Sequence, residues 1–304
     1  MYLRHRQYNL NNDRNKYCKI LQKANIPRFL CYKIIFRNGA TPMTKSETLA
    51  QIDRLKNILV SYPPLTKGEL NRFREHFMVE YTYNSNAIEG NTLTLHETRL
   101  VLLEGLTIDK KPLKHHLETV GHKDAFNYII DLSSSDEPLN ERTIKEINSL
   151  VLMDSPRDRG KYRQVPVSIV GALDTPPEPI SIPLHMENLL QKYHSNGNEK
   201  QHIIEKIADF HVQFEHIHPF IDGNGRTGRL ILNLELIKAK YPPVNIKFKD
   251  RGLYISCFTD FAQNGNADKF LEMLLKYLLE ELTNLVNIVK NKQFIADRMK
   301  NSPI

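Results

Sequence analysis

The sequence predicts an all-α fold carrying one small β-hairpin. Two observations support this. Apolar residues recur at helical spacing over most of the chain after residue 43. Only 162–182 departs from that period, where Val165, Val167 and Ile169 alternate. At 304 residues, 40% hydrophobic and 25% charged, the chain can bury a full core, and no internal repeat divides it.

Leu49, Ile52, Leu55, Ile58 and Leu59 make the apolar stripe of a first helix, which Pro63-Pro64 ends. A second is predicted over 67–89, with Leu70, Phe73, Phe77, Val79 and Tyr81 among its apolar positions and Gly90 suited to the C′ position. Thr94 and Glu97 have capping-box spacing and open a third. Further helices fit 114–132, 140–153, 183–195, 199–217, 226–240 and 267–292. Within the hairpin, 171–179 reads as the turn region, and Ile180 and Ile182 as the returning strand. Residues 1–42 read as a poorly ordered basic segment and 43–112 as an N-terminal helical region. The core then spans 113–280, with 281–304 a C-terminal helix and tail.

The net charge of +7 comes from the N-terminal segment, where nine Lys or Arg stand in 1–42 against Asp13 alone. The rest is near neutral, which argues against nucleic acid as the main partner. Met43 opens a cleaner pattern, so translation is expected to start there. No apolar run reaches membrane-spanning length, and the N-terminus lacks a signal-peptide core. Cys18, Cys31 and Cys257 have no metal-type spacing and cannot all pair, which fits a reducing cytoplasm.

Chemistry concentrates in His218-Pro219-Phe220-Ile221-Asp222-Gly223-Asn224-Gly225-Arg226-Thr227-Gly228-Arg229. An apolar stripe of Ile203, Ile204, Ile207, Phe210, Phe214 and Ile217 leads into it. Pro219 then breaks the helix, and Phe220 anchors the turn. Asp222 is free to face a metal. Gly223-Asn224-Gly225 can take positive φ angles and gather N–H groups into an anion-binding nest at a helix N-terminus. Arg226 and Arg229, spaced i, i+3, are expected to reach the same phosphate chain. The segment also matches G-x-G-x-x-G, but a helical pattern precedes it where a dinucleotide fold needs a strand. His211, His216 and His218 match no zinc spacing. A tightly packed helix–turn–helix would account for the glycines and Phe220, but not for an acid and two arginines around them.

This run resembles the signature of Fic-domain proteins, His-x-Phe-x-(Asp/Glu)-Gly-Asn-Gly-Arg-x-x-Arg, at every specified position. The resemblance extends to Gly160-Lys161-Tyr162-Arg163 and Tyr254, and covers about 67–280. It implies transfer of AMP from ATP to a Ser, Thr or Tyr hydroxyl of a target protein, with auto-AMPylation. His218 would be the base, and Asp222 would hold Mg²⁺. Gly223, Asn224, Gly225, Arg226 and Arg229 would bind the phosphates, Tyr254 would line the adenine pocket, and the hairpin would dock the target as an added strand. Ser85-Asn86-Ala87-Ile88-Glu89-Gly90 matches the family's inhibitory motif, (Ser/Thr)-x-x-x-Glu-(Gly/Asn). By that resemblance Glu89 pairs with Arg229, helped by Ser85, and takes it from the γ-phosphate. AMP removal, transfer of another phosphate-containing group, and a nucleotide-binding module with little turnover remain alternatives. A homo-oligomer is also left open.

Overall fold

Thr66 and Thr94 accept a backbone N–H through their side chains, while Glu69 and Glu97 bond back to the capping residues' own N–H groups. These boxes start α2 (Lys67–Ile88) and α3 (Leu95–Glu104), after α1 (Lys45–Ser61). Next come α4 (Leu113–Leu132), α5 (Glu141–Val151), α6 (Ile182–His194), α7 (Ile203–Ile217) and α8 (Asn224–Lys238). Last are α9 (Arg251–Asn264) and the long α10 (Asp268–Lys300). The computed structural model describes residues 43–168, 175–195 and 201–300. The predicted basic segment 1–42 and hairpin tip 169–174 lie outside the described residues, as does the predicted start of α7 at 199. From Glu47 onward the chain forms one compact unit, and α10 runs unbroken through 280–281.

The α7–α8 pair is the centre of the unit because both of its faces are buried. Ile204, Ile207, Val212, Leu232 and Leu236 join α1, α9 and α10 in one core. Phe210, Phe214, Ile217, Leu230, Ile231 and Leu234 join α2, α4, α5 and α6 in the other. Such close approach needs a small residue at the crossing. A Cβ on Gly228 would overlap the Glu215 carboxyl and stand 3.2 Å from Phe214.

Two sequence expectations change. The returning strand of the hairpin is not formed: Pro179–Ser181 is a 3₁₀ turn, and Ile182 already opens α6. Pro179 and Pro183, on either side of the expected strand, lack ladder donors, which favours the turn and the helix start. Among the described residues of the flap, pairing is limited to one antiparallel bridge, between Tyr162 and Phe220. The second change is α9, which the periodicity reading passed over between 240 and 267. Gly265, at φ 69° just past its end, is the C-terminal signal that marks it.

Candidate active site

The turn between α7 and α8 is built from backbone bonds to buried side chains. His218 ends α7 in the left-handed region, φ 50° and ψ 59°, so the chain leaves the helix abruptly. Arg163 holds this bend: its Nε donates to the His218 carbonyl at 2.9 Å, and its backbone N–H to Pro219 O at 3.0 Å. Its remaining nitrogens bond the carbonyls of Val165 and Pro177, tying the flap to the catalytic turn. The Phe220 side chain is fully buried, and removal of such a ring costs about 3–5 kcal/mol.

Asn224 clasps Phe220 from both sides, donating to its carbonyl and accepting from its N–H, each at 2.9 Å. The side chain expected at the phosphates therefore holds the turn itself. The nest is also narrower than predicted. Gly223 alone takes a positive φ, 76°, whereas Asn224 and Gly225 already belong to α8. A Cβ at Gly223 would also press on Val151 of α5 and on Leu152 just past it, each at 3.1 Å. Gly225 makes room for Glu89: a Cβ there would overlap Glu89 Oε1 and displace that side chain.

The two arginines diverge rather than converge. Arg226, 1% exposed, lies 3.1 Å from Glu118 of α4 and 3.2 Å from Asp222. Its Nε has no hydrogen-bond acceptor among the described residues, and Nη1 meets Glu118 as an ion pair outside hydrogen-bond geometry. Arg229, equally buried, turns to the C-terminus of α2. Its Nε donates to Ser85 Oγ at 3.1 Å, and its Nη2 to both Ser85 O and Glu89 Oε1 at 2.8 Å. A cation here meets the negative end of the α2 dipole and a carbonyl of its last turn. Glu89 would be unfavourable at that helix end without it. The Glu89 side chain remains 37% exposed and stands over Gly225 at the start of α8. Asn91 and Arg251 also latch the end of α2, bonding Glu118 and His115 in one case and the Ile88 carbonyl in the other.

Tyr254, expected at an adenine pocket, lies inside the core. It is 2% exposed among Phe258 and Phe270, and its hydroxyl meets His211 Nε2 at 2.9 Å and Arg229 at 3.5 Å. It supports Arg229 from the core side instead of facing an adenine. Burial, then the charge of Arg229, lower the His211 pKa to about 3, so the ring is neutral. His211 Nδ1 lies 3.2 Å from the Gly228 carbonyl, which can only accept. Nδ1 therefore carries the proton, and Nε2 accepts from Tyr254.

His218 obeys the same logic. Its Nδ1 is 3.3 Å from the Glu215 carbonyl, so that nitrogen carries the proton and Nε2 keeps a free lone pair. Burial is the largest cause of its lowered pKa, with Arg163 adding in the same direction. Asp222 is half-exposed. Burial raises its pKa, but Arg226, the Gly223 N–H and Lys114 outweigh this and hold it below the usual carboxylate value. Its Oδ1 is engaged by Gly223 and Arg226, while Oδ2 faces Lys114 at 3.6 Å.

Four contributors were missed or left without a role by the sequence reading: Lys114, Glu118, Asn148 and Arg163. Asn148 ties α5 to the Asp222 carbonyl and Thr227 hydroxyl, each at 3.3 Å, and to the Gly160 N–H at 2.9 Å. It is an amide set among the buried Ile144, Ile147 and Val151, a signal present in the sequence.

The all-α unit thus gathers a histidine, a carboxylate and two arginines around the N-terminus of a buried helix. Comparison with known proteins is consistent with this. Residues 138–236 match the Fic/DOC family. The chain is 33% identical over 245 residues to Protein adenylyltransferase Fic of Nematostella vectensis, and 32% identical over 210 residues to that of Drosophila melanogaster. These alignments include 79% and 69% of this chain but 56% and 42% of those relatives. Fic-1 from C. elegans superposes with a TM-score of 0.72 at 27% identity, covering 81% of this chain and 73% of that one. A Fic domain containing signaling protein from Bacteroides thetaiotaomicron gives 0.71 at 28%, covering 79% and 97%. The chain belongs to the Fic family. No helix among the described residues is long and apolar enough to cross a membrane.

Proposed function

We propose that this chain is an autoinhibited protein adenylyltransferase, transferring AMP from ATP to hydroxyl side chains of target proteins and of itself. The observation that carries the reading is the Glu89–Arg229 pair, held at 2.8 Å over Gly225 where α8 begins. A phosphate chain at that N-terminus would meet the α8 dipole, the buried donors of Arg226 and, once Glu89 leaves, Arg229. His218 Nε2 takes the proton of the attacking hydroxyl, and the new bond forms at the α-phosphorus as pyrophosphate leaves. The backbone N–H groups at the start of α8 stabilise the charge that develops. With Glu89 in place Arg229 cannot hold the γ-phosphate, and ATP binds in an unproductive pose.

Asp222 is the residue fitted to a magnesium ion. It is ionised and half-exposed, with Oδ2 facing the exposed ammonium of Lys114, which Glu118 and Asp154 also approach. No cluster of three His, Cys, Asp or Glu suited to a metal occurs among the described residues. Magnesium is commonly held by one or two carboxylates together with substrate phosphates and water. When bound, the ion would supply charge stabilisation to the pyrophosphate leaving group.

Incubation with ATP labelled at the α- or γ-phosphate tests the reading, with wild type, Glu89→Gly and His218→Ala. Protein-bound label from the α position alone, increased by Glu89→Gly and abolished by His218→Ala, is expected. Label from the γ position would replace this reading with kinase-like transfer. Binding without any transfer would replace it with a regulatory module.

A further inference from the structure

The stretch between α5 and the flap carries Arg157, Arg159, Lys161 and Arg163 against Asp154, which faces Lys114, and Asp158. Arg163 is buried and committed to three carbonyls, so its role is structural. Arg157 and Lys161 differ: both are exposed, and neither has a carboxylate partner among the described residues. They line an open cleft of about 540 Å³ whose apolar wall includes Val165, Pro179 and Ile221. Val165 is 52% exposed and Ile221 37%.

The cleft adjoins the reaction centre. Ile221 lies in the turn between His218 and Asp222, and the Tyr162–Phe220 bridge joins the cleft floor to that turn. A segment delivering a hydroxyl to His218 must lay its neighbouring residues along this surface. An apolar wall with a net cationic rim, where Asp158 is the one acid against Lys145, Arg157 and Lys161, favours carboxylates in those residues.

We propose that this cleft selects target segments in which acidic side chains flank the modified hydroxyl residue, Arg157 and Lys161 being the specificity-determining groups. The proposal rests on the AMP-transfer reading, but can be tested without the reaction.

The probes are short fluorescein-labelled peptides with one central tyrosine flanked by glutamates, glutamines or lysines. Their binding to the full chain is followed by fluorescence anisotropy in the absence of nucleotide. Glutamate peptides are expected to bind best and lysine peptides worst, with a spread that narrows as salt rises. The double reversal Arg157→Glu, Lys161→Glu converts two exposed attractions into repulsions. It should weaken the glutamate peptide about tenfold and strengthen the lysine peptide, a gain that misfolded protein would not show. An unchanged ranking in the double variant overturns the proposal. So does tighter binding of a single-stranded DNA oligonucleotide than of the glutamate peptide, which would mark the strip as a nucleic-acid surface. Because ATP is absent, failure here leaves the α-label result standing, and failure of labelling leaves the peptide ranking standing.

Discussion

Replacing Glu89 by glycine should make the protein more active and less stable at once. Arg229 is 1% exposed and would lose its carboxylate while keeping Ser85 Oγ, Ser85 O and Tyr254 as partners. Breaking a fully buried ion pair costs about 3–5 kcal/mol, but the retained acceptors and the exposure of Glu89 reduce this to roughly 1–2 kcal/mol. For a unit of this size that lowers Tm by about 2–8 °C. The same change frees Arg229 for the γ-phosphate. A charge-assisted contact worth about 2–3 kcal/mol, made in the reactive pose, raises the transfer rate about 30- to 150-fold. Initial rates of α-label incorporation, with Tm by calorimetry, measure both quantities. A folded Glu89→Gly protein with an unchanged transfer rate would refute the competition for Arg229.

Other outcomes follow from the buried groups. His218 acts as a base only when neutral, and burial lowers its pKa, so the acid limb of the Glu89→Gly rate profile should lie below pH 6.5; a limb above that value contradicts the assigned environment. Burial raises the Glu215 pKa to about 8, against 4.5 when unperturbed, with Arg229 opposing the rise. The folded protein thus holds a proton that the unfolded chain releases, and this group withdraws stability as pH rises between those values. The Tm of Glu215→Gln relative to wild type should therefore climb from about pH 5 to about pH 8; a constant offset argues against a buried neutral carboxyl. Tyr254→Phe leaves His211 Nε2 without its donor and should cost about 1–3 kcal/mol by denaturant melts, with ADP affinity unchanged. A selective loss of ADP affinity in folded protein would return Tyr254 to the adenine pocket.

The sequence made the identity of the central groups legible because they sit close together in the chain. Twelve consecutive residues carry the histidine, the carboxylate and both arginines, and apolar periodicity with Pro219 located α7 and α8 around them. The Glu89–Arg229 contact was legible too, but only through resemblance, since 140 positions separate the pair. Side-chain direction was not legible. Spacing of i, i+3 placed Arg226 and Arg229 near one another, yet Glu118 and Asp222 draw one guanidinium while Ser85 and Glu89 draw the other. Asn224 and Tyr254 were read as ligand contacts because their types suit such work. Their actual partners, the Phe220 backbone and His211, depend on tertiary approach that no local pattern encodes. The flap misled for a related reason. Alternating apolar residues suggested two strands, whereas the second half gains more by opening α6, where Ile182 and Met186 are fully buried.

The most direct test compares ATP with ADP in calorimetric titrations of wild type and Glu89→Gly. If Glu89 occupies Arg229, the γ-phosphate gains nothing from that arginine in wild type, and the two nucleotides should bind with similar affinity. In Glu89→Gly the freed guanidinium should favour ATP over ADP by about tenfold or more. An ATP-to-ADP affinity ratio that is the same in both proteins would contradict the account.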